Sequence, residues 1–213
     1  MYSDRIKNIK VRRSITSDGI TSVEVNIEYP YLINYSDDDP INKFYFTISQ
    51  NFLKYCEDVS GKINQDYIES SDFKKMGGVL KFYTSYLSDD YVSFVFDSIW
   101  FDGFFKSLRR FSQTWCLKSK RILPVKSFLN EYGYSRRDVK VLIGNIISEN
   151  IKKNVCDFSY NKKNVKKYLY HVNPDNFFLC RNGIAFWFEP GTIVPENEGI
   201  PTYIIPIKNK SSE

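Results

Sequence analysis

Residues 183–206 read GIAFWFEPGTIVPENEGIPTYIIP: an aromatic run, then four prolines and three glycines at intervals, then a second apolar run. Ile184 to Phe188 have the composition of a strand, and Pro190 ends it because proline removes a ladder donor. Gly191, Pro195 and Gly199 punctuate a crossing loop. Thr202 to Ile207 form a last strand, in which Pro206 is tolerable only at an edge or a bulge. Immediately upstream, NFFLCRNG supplies the partner strand. Arg181-Asn182-Gly183 is the turn, since Asn-Gly provides the positive φ values a tight hairpin needs. These residues encode shape rather than chemistry.

Working outward, the same period-2 signal recurs toward the N-terminus. Residues 5–13 and 20–29 predict two strands joined by Ser17-Asp18-Gly19, and in the second Val23, Val25 and Ile27 alternate with Glu24, Asn26 and Glu28. Asp39 followed by Pro40 marks a helix start. Ile41, Phe44, Ile48, Phe52, Tyr55 and Val59 then recur at helical spacing. Beyond a polar stretch with room for a short helix, Gly77-Gly78 opens VLKFYTSYL, YVSFVFDSIWF and SLRRFSQTWCL. These are three strands with turns at Ser88-Asp89-Asp90 and around Asp102-Gly103. LPVKSFLNEYG predicts a short helix and SRRDVKVLIGNIISENIKKNV a long one. Ser135 and Asp138 form a capping box there, and Val139, Leu142, Ile143, Ile146, Ile147 and Ile151 an apolar face. The expected class is α+β, with an antiparallel sheet covered on one face by two main helices. Residues 1–119 would form a strand-helix-meander lobe and 120–213 a helix-and-hairpin lobe, together one compact unit.

Composition fits this reading. In 213 residues, aromatics reach 17%, with 17 Phe and 16 Tyr, which favours strands and contact surfaces. A net charge of +5 from 30 basic and 25 acidic residues is a mild excess. Arg12-Arg13, Arg109-Arg110, Lys118 to Arg121, Arg136-Arg137 and Lys162 to Lys167 therefore read as solvated faces, with no nucleic-acid motif beside them. Cys56, Cys116, Cys156 and Cys180 form no CxxC pair and His171 is the single histidine, so neither a metal nor any other cofactor is expected. Cys56 and Cys116 fall where a buried free thiol is expected, and disulfides stay open for an exported form. The N-terminal residues have no apolar signal core, and no segment offers about 18 consecutive apolar residues, so no membrane insertion is expected. As it stands the chain is expected in the cytoplasm, or outside it where an anchor or signal has been removed.

The run from Phe177 to Pro206 resembles the closing signature of a bacterial domain of unknown function, the C-terminal part of RsiV-type anti-sigma factors, which sense lysozyme. The same domain accompanies PdaC-type peptidoglycan deacetylases. In that family an aromatic strand, a turn ending in Gly, an apolar-aromatic strand, a loop with a central Ala-Pro, Gly-Ile-Pro and a strand ending in Ile-Pro follow one another. Phe177, Phe178, Gly183, Phe186, Phe188, Pro195, Gly199, Ile200, Pro201, Ile205 and Pro206 fill those positions here. Upstream, IEYPYLIN followed by INKFYFTISQNF is similar to the family's Tyr-Pro strand and Ile-Asn helix. YVSFVFDSIWF and SQTWCLKSKRILPVKSFL look like later segments, so the likeness spans most of residues 20–209. Two departures stand out. The family's Gly-Gly-Ala-His-Gly loop is replaced by FDGFFKSLRR at 101–110, and Gly191 follows Pro190 where a Tyr is common. The resemblance implies a non-catalytic binding or sensing module for a lysozyme-like protein or a peptidoglycan fragment.

Nucleophilic catalysis would need a base. His171, in YLYHVNPDNF, reads as a loop histidine that caps or packs, and an enzyme of unrecognised type using His171 is the alternative. An intracellular scaffold or sporulation-type factor is another. Asp37-Asp38-Asp39, Asp89-Asp90 and Glu196 with Glu198 sit at turns or helix starts, where carboxylates cap. Gly77-Gly78 lacks the context of a phosphate cradle. DSIWFDGFFKSLRR gathers Trp100, Phe101, Asp102, Phe104, Phe105, Arg109 and Arg110 around one hairpin tip, the aromatic-and-arginine mix of protein interfaces.

Overall fold

The computed structural model describes residues 5–17, 20–62, 70, 72–153, 158–169, 173 and 175–207. The chain falls into two compact units, Met1–Tyr83 with Phe96–Arg109, and Thr84–Val95 with Arg110–Glu213. A six-stranded sheet has the order β1 (Ile6–Ser17), β2 (Ile20–Leu32), β3 (Met76–Leu87), β4 (Tyr91–Phe101), β5 (Lys106–Cys116) and β6 (Arg121–Ile122). A three-stranded sheet has the order β7 (Phe177–Cys180), β8 (Gly183–Trp187) and β9 (Thr202–Pro206). With helices α1 (Pro40–Ser60), α2 (Val125–Glu131), α3 (Arg136–Lys153) and α4 (Lys162–Leu169), the class is α+β, as the sequence predicts. No helix among the described residues is long and apolar enough to cross a membrane.

In the first unit, β1 and β2 form a long antiparallel hairpin with a register shift at Ile15/Thr16. Val23, Val25 and Ile27 are buried, as their alternation predicts. The turn residues Asp18 and Gly19 lie outside the described residues. β2 then pairs with β3 in parallel, Val25 opposite Gly78 and Ile27 opposite Leu80, so the sheet is mixed rather than wholly antiparallel. Parallel neighbours need a crossover, and α1 is that crossover. Asp39 caps α1 through Ile41 N–H at 2.9 Å, with Pro40 in the first turn.

The buried face of α1 differs from the apolar stripe read in the sequence. Ile41, Tyr45 and Cys56 are fully buried together with Asn42, Ser49 and Ser60, whereas Phe44, Ile48, Phe52 and Val59 are half-buried and Tyr55 is exposed. Buried polar groups are tolerated when their hydrogen bonds are made, and here they are. Asn42 Oδ1 accepts from Leu32 N–H at 2.8 Å, and its Nδ2 donates to the carbonyls of Leu32 and Ser36 at 3.2 and 3.1 Å. Ser49 Oγ donates to Phe46 O, and the Ser60 and Ser22 hydroxyls meet at 2.9 Å. The rotation places Tyr45 in a stack on Phe96, centroids 5.2 Å apart. It also brings Cys56 against β3, where a Cβ on Gly78 would lie 2.6 Å from Sγ. Gly78 thus makes room for the helix.

In the second unit, the capping box forms: Ser135 N–H and Oγ both reach Asp138 Oδ2, at 2.7 and 2.8 Å. Val139, Ile143 and Ile147 are buried, with Leu142, Ile146 and Ile151 packed around them, against a core that includes Phe128, Phe186, Ile193 and Ile205. Strands β7, β8 and β9 are antiparallel neighbours. The intervening loop carries the buried Ile193 and Val194 and a short 3-10 turn at Glu196–Glu198. α4 was not anticipated; its Lys163, Lys166 and Lys167 are exposed. Three buried hydroxyls tie strands together. Ser112 Oγ donates to Phe177 O and accepts from Trp187 Nε1 at 3.1 Å. Ser93 Oγ, 2.9 Å from Thr114 Oγ1, accepts from Leu179 N–H at 3.1 Å.

Candidate functional site

The turn between β4 and β5 is built around one carboxylate. Asp102 Oδ1 accepts the backbone N–H groups of Phe104 and Phe105 at 2.9 and 2.7 Å, while Asp102 N–H donates to Phe105 O at 3.2 Å. These bonds, that of Phe105 foremost and that of Phe104 next, hold the Asp102 carboxyl below the usual aspartate range. Gly103 takes φ 97°, which a side chain would resist. The result is a fixed turn that presents Phe101, Phe104 and Phe105 at 37%, 59% and 78% exposure. Lys74 Nζ lies 4.9 Å from the Phe104 ring centre, a cation–π placement.

The other tip residues divide. Trp100 is half-buried with its ring edge-on to Tyr55 at 5.8 Å. Arg109 is exposed but four residues further along β5, about 13 Å from Phe105. Arg110 belongs to the second unit, where its Nη1 donates to Thr202 Oγ1 at 3.3 Å.

The carboxylate groups read in the sequence serve structure or line a cleft. Asp90 pairs with Lys118 at 2.7 Å, and Glu198 accepts from Ser159 N–H at 2.6 Å. Asp39 is the helix cap. His171 and Cys156 lie outside the described residues. Cys56 is buried and Cys116 and Cys180 are half-buried, all three free. No group of three or more His, Cys, Asp or Glu among the described residues is arranged to hold a metal.

The signature residues hold the second unit's small sheet. Gly183 sits where a Cβ would meet Ile205 O at 2.0 Å, so β9's approach, rather than the turn alone, demands glycine. Asn182 itself does not adopt the positive φ expected of it. Pro195 precedes the 3-10 turn and Gly199, at φ 94°, ends it. Ile200 packs beside Phe178 and Trp187. Pro201 O accepts from Phe188 N–H, and Pro206, on the edge strand, accepts from Tyr134 Oη at 2.9 Å.

One feature of the first unit escaped sequence reading: a cleft of about 530 Å3 lined by Ile9, Tyr29, Tyr31, Asp37, Asp38, Asn42, Lys43 and Phe46. Two signals pointed toward it without being combined. Tyr29 and Tyr31, two residues apart, share one face of a strand end, and Asn42, Lys43 and Phe46 share one helix face. Their convergence requires the 33–38 loop to fold back, which Asn42 enforces.

Residues 135–208 match the DUF3298 family, described as "Protein of unknown function (DUF3298)". No curated protein matches the chain. The crystal structure of a DUF3298 family member from Bacteroides fragilis is similar over 94% of this chain and 89% of its own, at 12% identity and TM-score 0.68. A DUF3298 family protein from Pseudomonas aeruginosa gives the same coverages at 10% identity and TM-score 0.53. At these identities the likeness is one of fold. A DUF3298 domain is thus found at residues 135–208, and the chain has the fold that solved DUF3298 proteins share.

Proposed function

We propose that the protein is a non-catalytic binding module of the kind represented by the lysozyme-sensing anti-sigma ectodomain, and that it takes a lysozyme-like protein at the 101–105 turn. The observation that carries this reading is the exposure of three phenylalanines within five residues on a turn pinned by Asp102. Apolar rings held out on fixed backbone lose little conformational freedom on binding, which favours association. Burying a phenylalanine fully contributes about 1.5–3 kcal/mol. With Phe104 and Phe105 59% and 78% exposed, covering both stabilises a complex by about 3 kcal/mol, roughly a hundredfold in Kd.

The test uses the whole chain, immobilised as wild type and as Phe104→Ala/Phe105→Ala, against lysozyme and against peptidoglycan fragments. Lysozyme capture that weakens about a hundredfold in the double variant is the expected result. Equal capture by both proteins, capture of the glycan alone, or no capture of lysozyme would overturn it.

A further inference from the structure

The cleft in the first unit is independent of the phenylalanine turn and has the properties of a small-molecule site. Its volume of about 530 Å3 falls within the range of ligand pockets, roughly 300–1,000 Å3. Its walls are set before any ligand arrives. Asn42 holds the carbonyls of Leu32 and Ser36 and the N–H of Leu32, which folds the loop carrying Asp37 and Asp38 back over the strand end. Asp39 N–H closes the same loop on Ser36 O at 3.0 Å. Tyr31 Oη donates to Asp37 Oδ1 at 2.7 Å, which orients that carboxylate on the cleft wall.

The lining dictates the chemistry of its occupant. Tyr29 is nearly buried, Tyr31 half-buried and Phe46 52% exposed, so an apolar or aromatic body finds ring surface at several depths. Burial chiefly raises the Tyr29 hydroxyl above the usual tyrosine range, the Ser49 hydrogen bond opposing it and the Asp37 charge adding to it. Tyrosine adds no charge at neutral pH. The ionised lining is Asp37, Asp38 and Lys43, one net negative charge. An anionic ligand would meet two carboxylates against one ammonium, whereas a cation gains both the carboxylates and the ring faces.

We infer that this cleft is a binding site for a small organic monocation with a flat apolar body, its ammonium directed to Asp37 and Asp38 and its body laid against Phe46 and Tyr31.

The experiment is an amide NMR titration of the full chain with 2-phenylethylamine, run beside the neutral 2-phenylethanol and the anionic 3-phenylpropionate. Saturable shifts confined to the strand end, the 33–38 loop and the start of the helix are expected with the amine. The alcohol should bind about tenfold more weakly and the acid weaker still. Asp38→Asn, an exposed change that leaves the Tyr31–Asp37 bond in place, should weaken the amine about tenfold, and Phe46→Ala should weaken all aromatic probes while both spectra stay folded. Equal affinity for amine and alcohol, indifference to Asp38→Asn, or no saturable shift with millimolar amine would each overturn the assignment.

Discussion

Gly183→Ala is expected to cost far more than one methyl group ordinarily does. The new Cβ would lie 2.0 Å from Ile205 O, 2.8 Å from its carbonyl carbon and 3.0 Å from Pro206 Cα. All three are backbone atoms of β9, so no side-chain rotation relieves the overlap. Relief means displacing β9, which carries the buried Tyr203 and Ile205 and receives the Tyr134 hydroxyl at Pro206 O. Overpacking costs about 1–3 kcal/mol, and an alanine at φ 152° adds about 1–2 kcal/mol. Weakening the Tyr134 hydrogen bond adds about 1 kcal/mol. The sum, about 3–6 kcal/mol, lowers Tm by roughly 6–24 °C in a chain of this size. Thermal melts followed by circular dichroism should be read against two other glycines. Gly133→Ala, at φ 69° with nothing within 4 Å of its Cβ, should lose only about 1 kcal/mol. Gly61→Ala, with φ −66° and its nearest neighbour at 3.6 Å, should gain about 0.4–1 kcal/mol. If Gly183→Ala melts with Gly133→Ala, the close approach of β9 is not what requires the glycine.

Three further outcomes follow from the helix-to-strand contact and from the thiols. Gly78→Ala should destabilise by about 1–3 kcal/mol through Cys56 Sγ, and Cys56→Ala in the same chain should restore part of the loss. Urea unfolding of the four proteins that gave strictly additive changes would refute the contact. Burial first, and the Glu57 charge second, push the Cys56 thiol up to about 12, while hydrogen bonds from Ser119 lower that of Cys116. Iodoacetamide at pH 8 should therefore modify Cys116 well before Cys56 in the folded protein, as read by mass spectrometry; the reverse order would contradict this assignment. The sign for stability follows. Cys56 binds its proton more tightly when folded than at its unfolded value of about 8.5, so its contribution is whole below that pH and is lost as pH rises toward 12. Cys56→Ala should flatten the alkaline decline.

Much of the fold was legible because its signals are local. Asp39-Pro40 specifies a helix start by the hydrogen bond one side chain makes two residues on, and Ser135 with Asp138 does the same by capping. Strand β4 runs from Tyr91 to Phe101, as its β-branched and aromatic residues between turn residues indicate. The punctuated loop of 188–201 and its closing strand likewise follow from proline and glycine alone.

What stayed hidden depends on partners distant in the chain. That β2 and β3 pair in parallel is a choice among sheet neighbours, which periodicity does not encode, although a helix between two strands was a cue to it. That α1 fully buries Asn42 and Ser60 in place of most of its apolar stripe rests on hydrogen bonds to residues 10 and 38 positions away. Exposure of Phe104 and Phe105 at the tip was readable from their place in a turn, whereas Arg110 left that tip because Thr202 lies beside it. The cleft is the clearest case. Its tyrosines and carboxylates are ordinary in sequence and become a site only when Asn42 folds the loop back, because a cavity is made by the space between elements and not by any one of them.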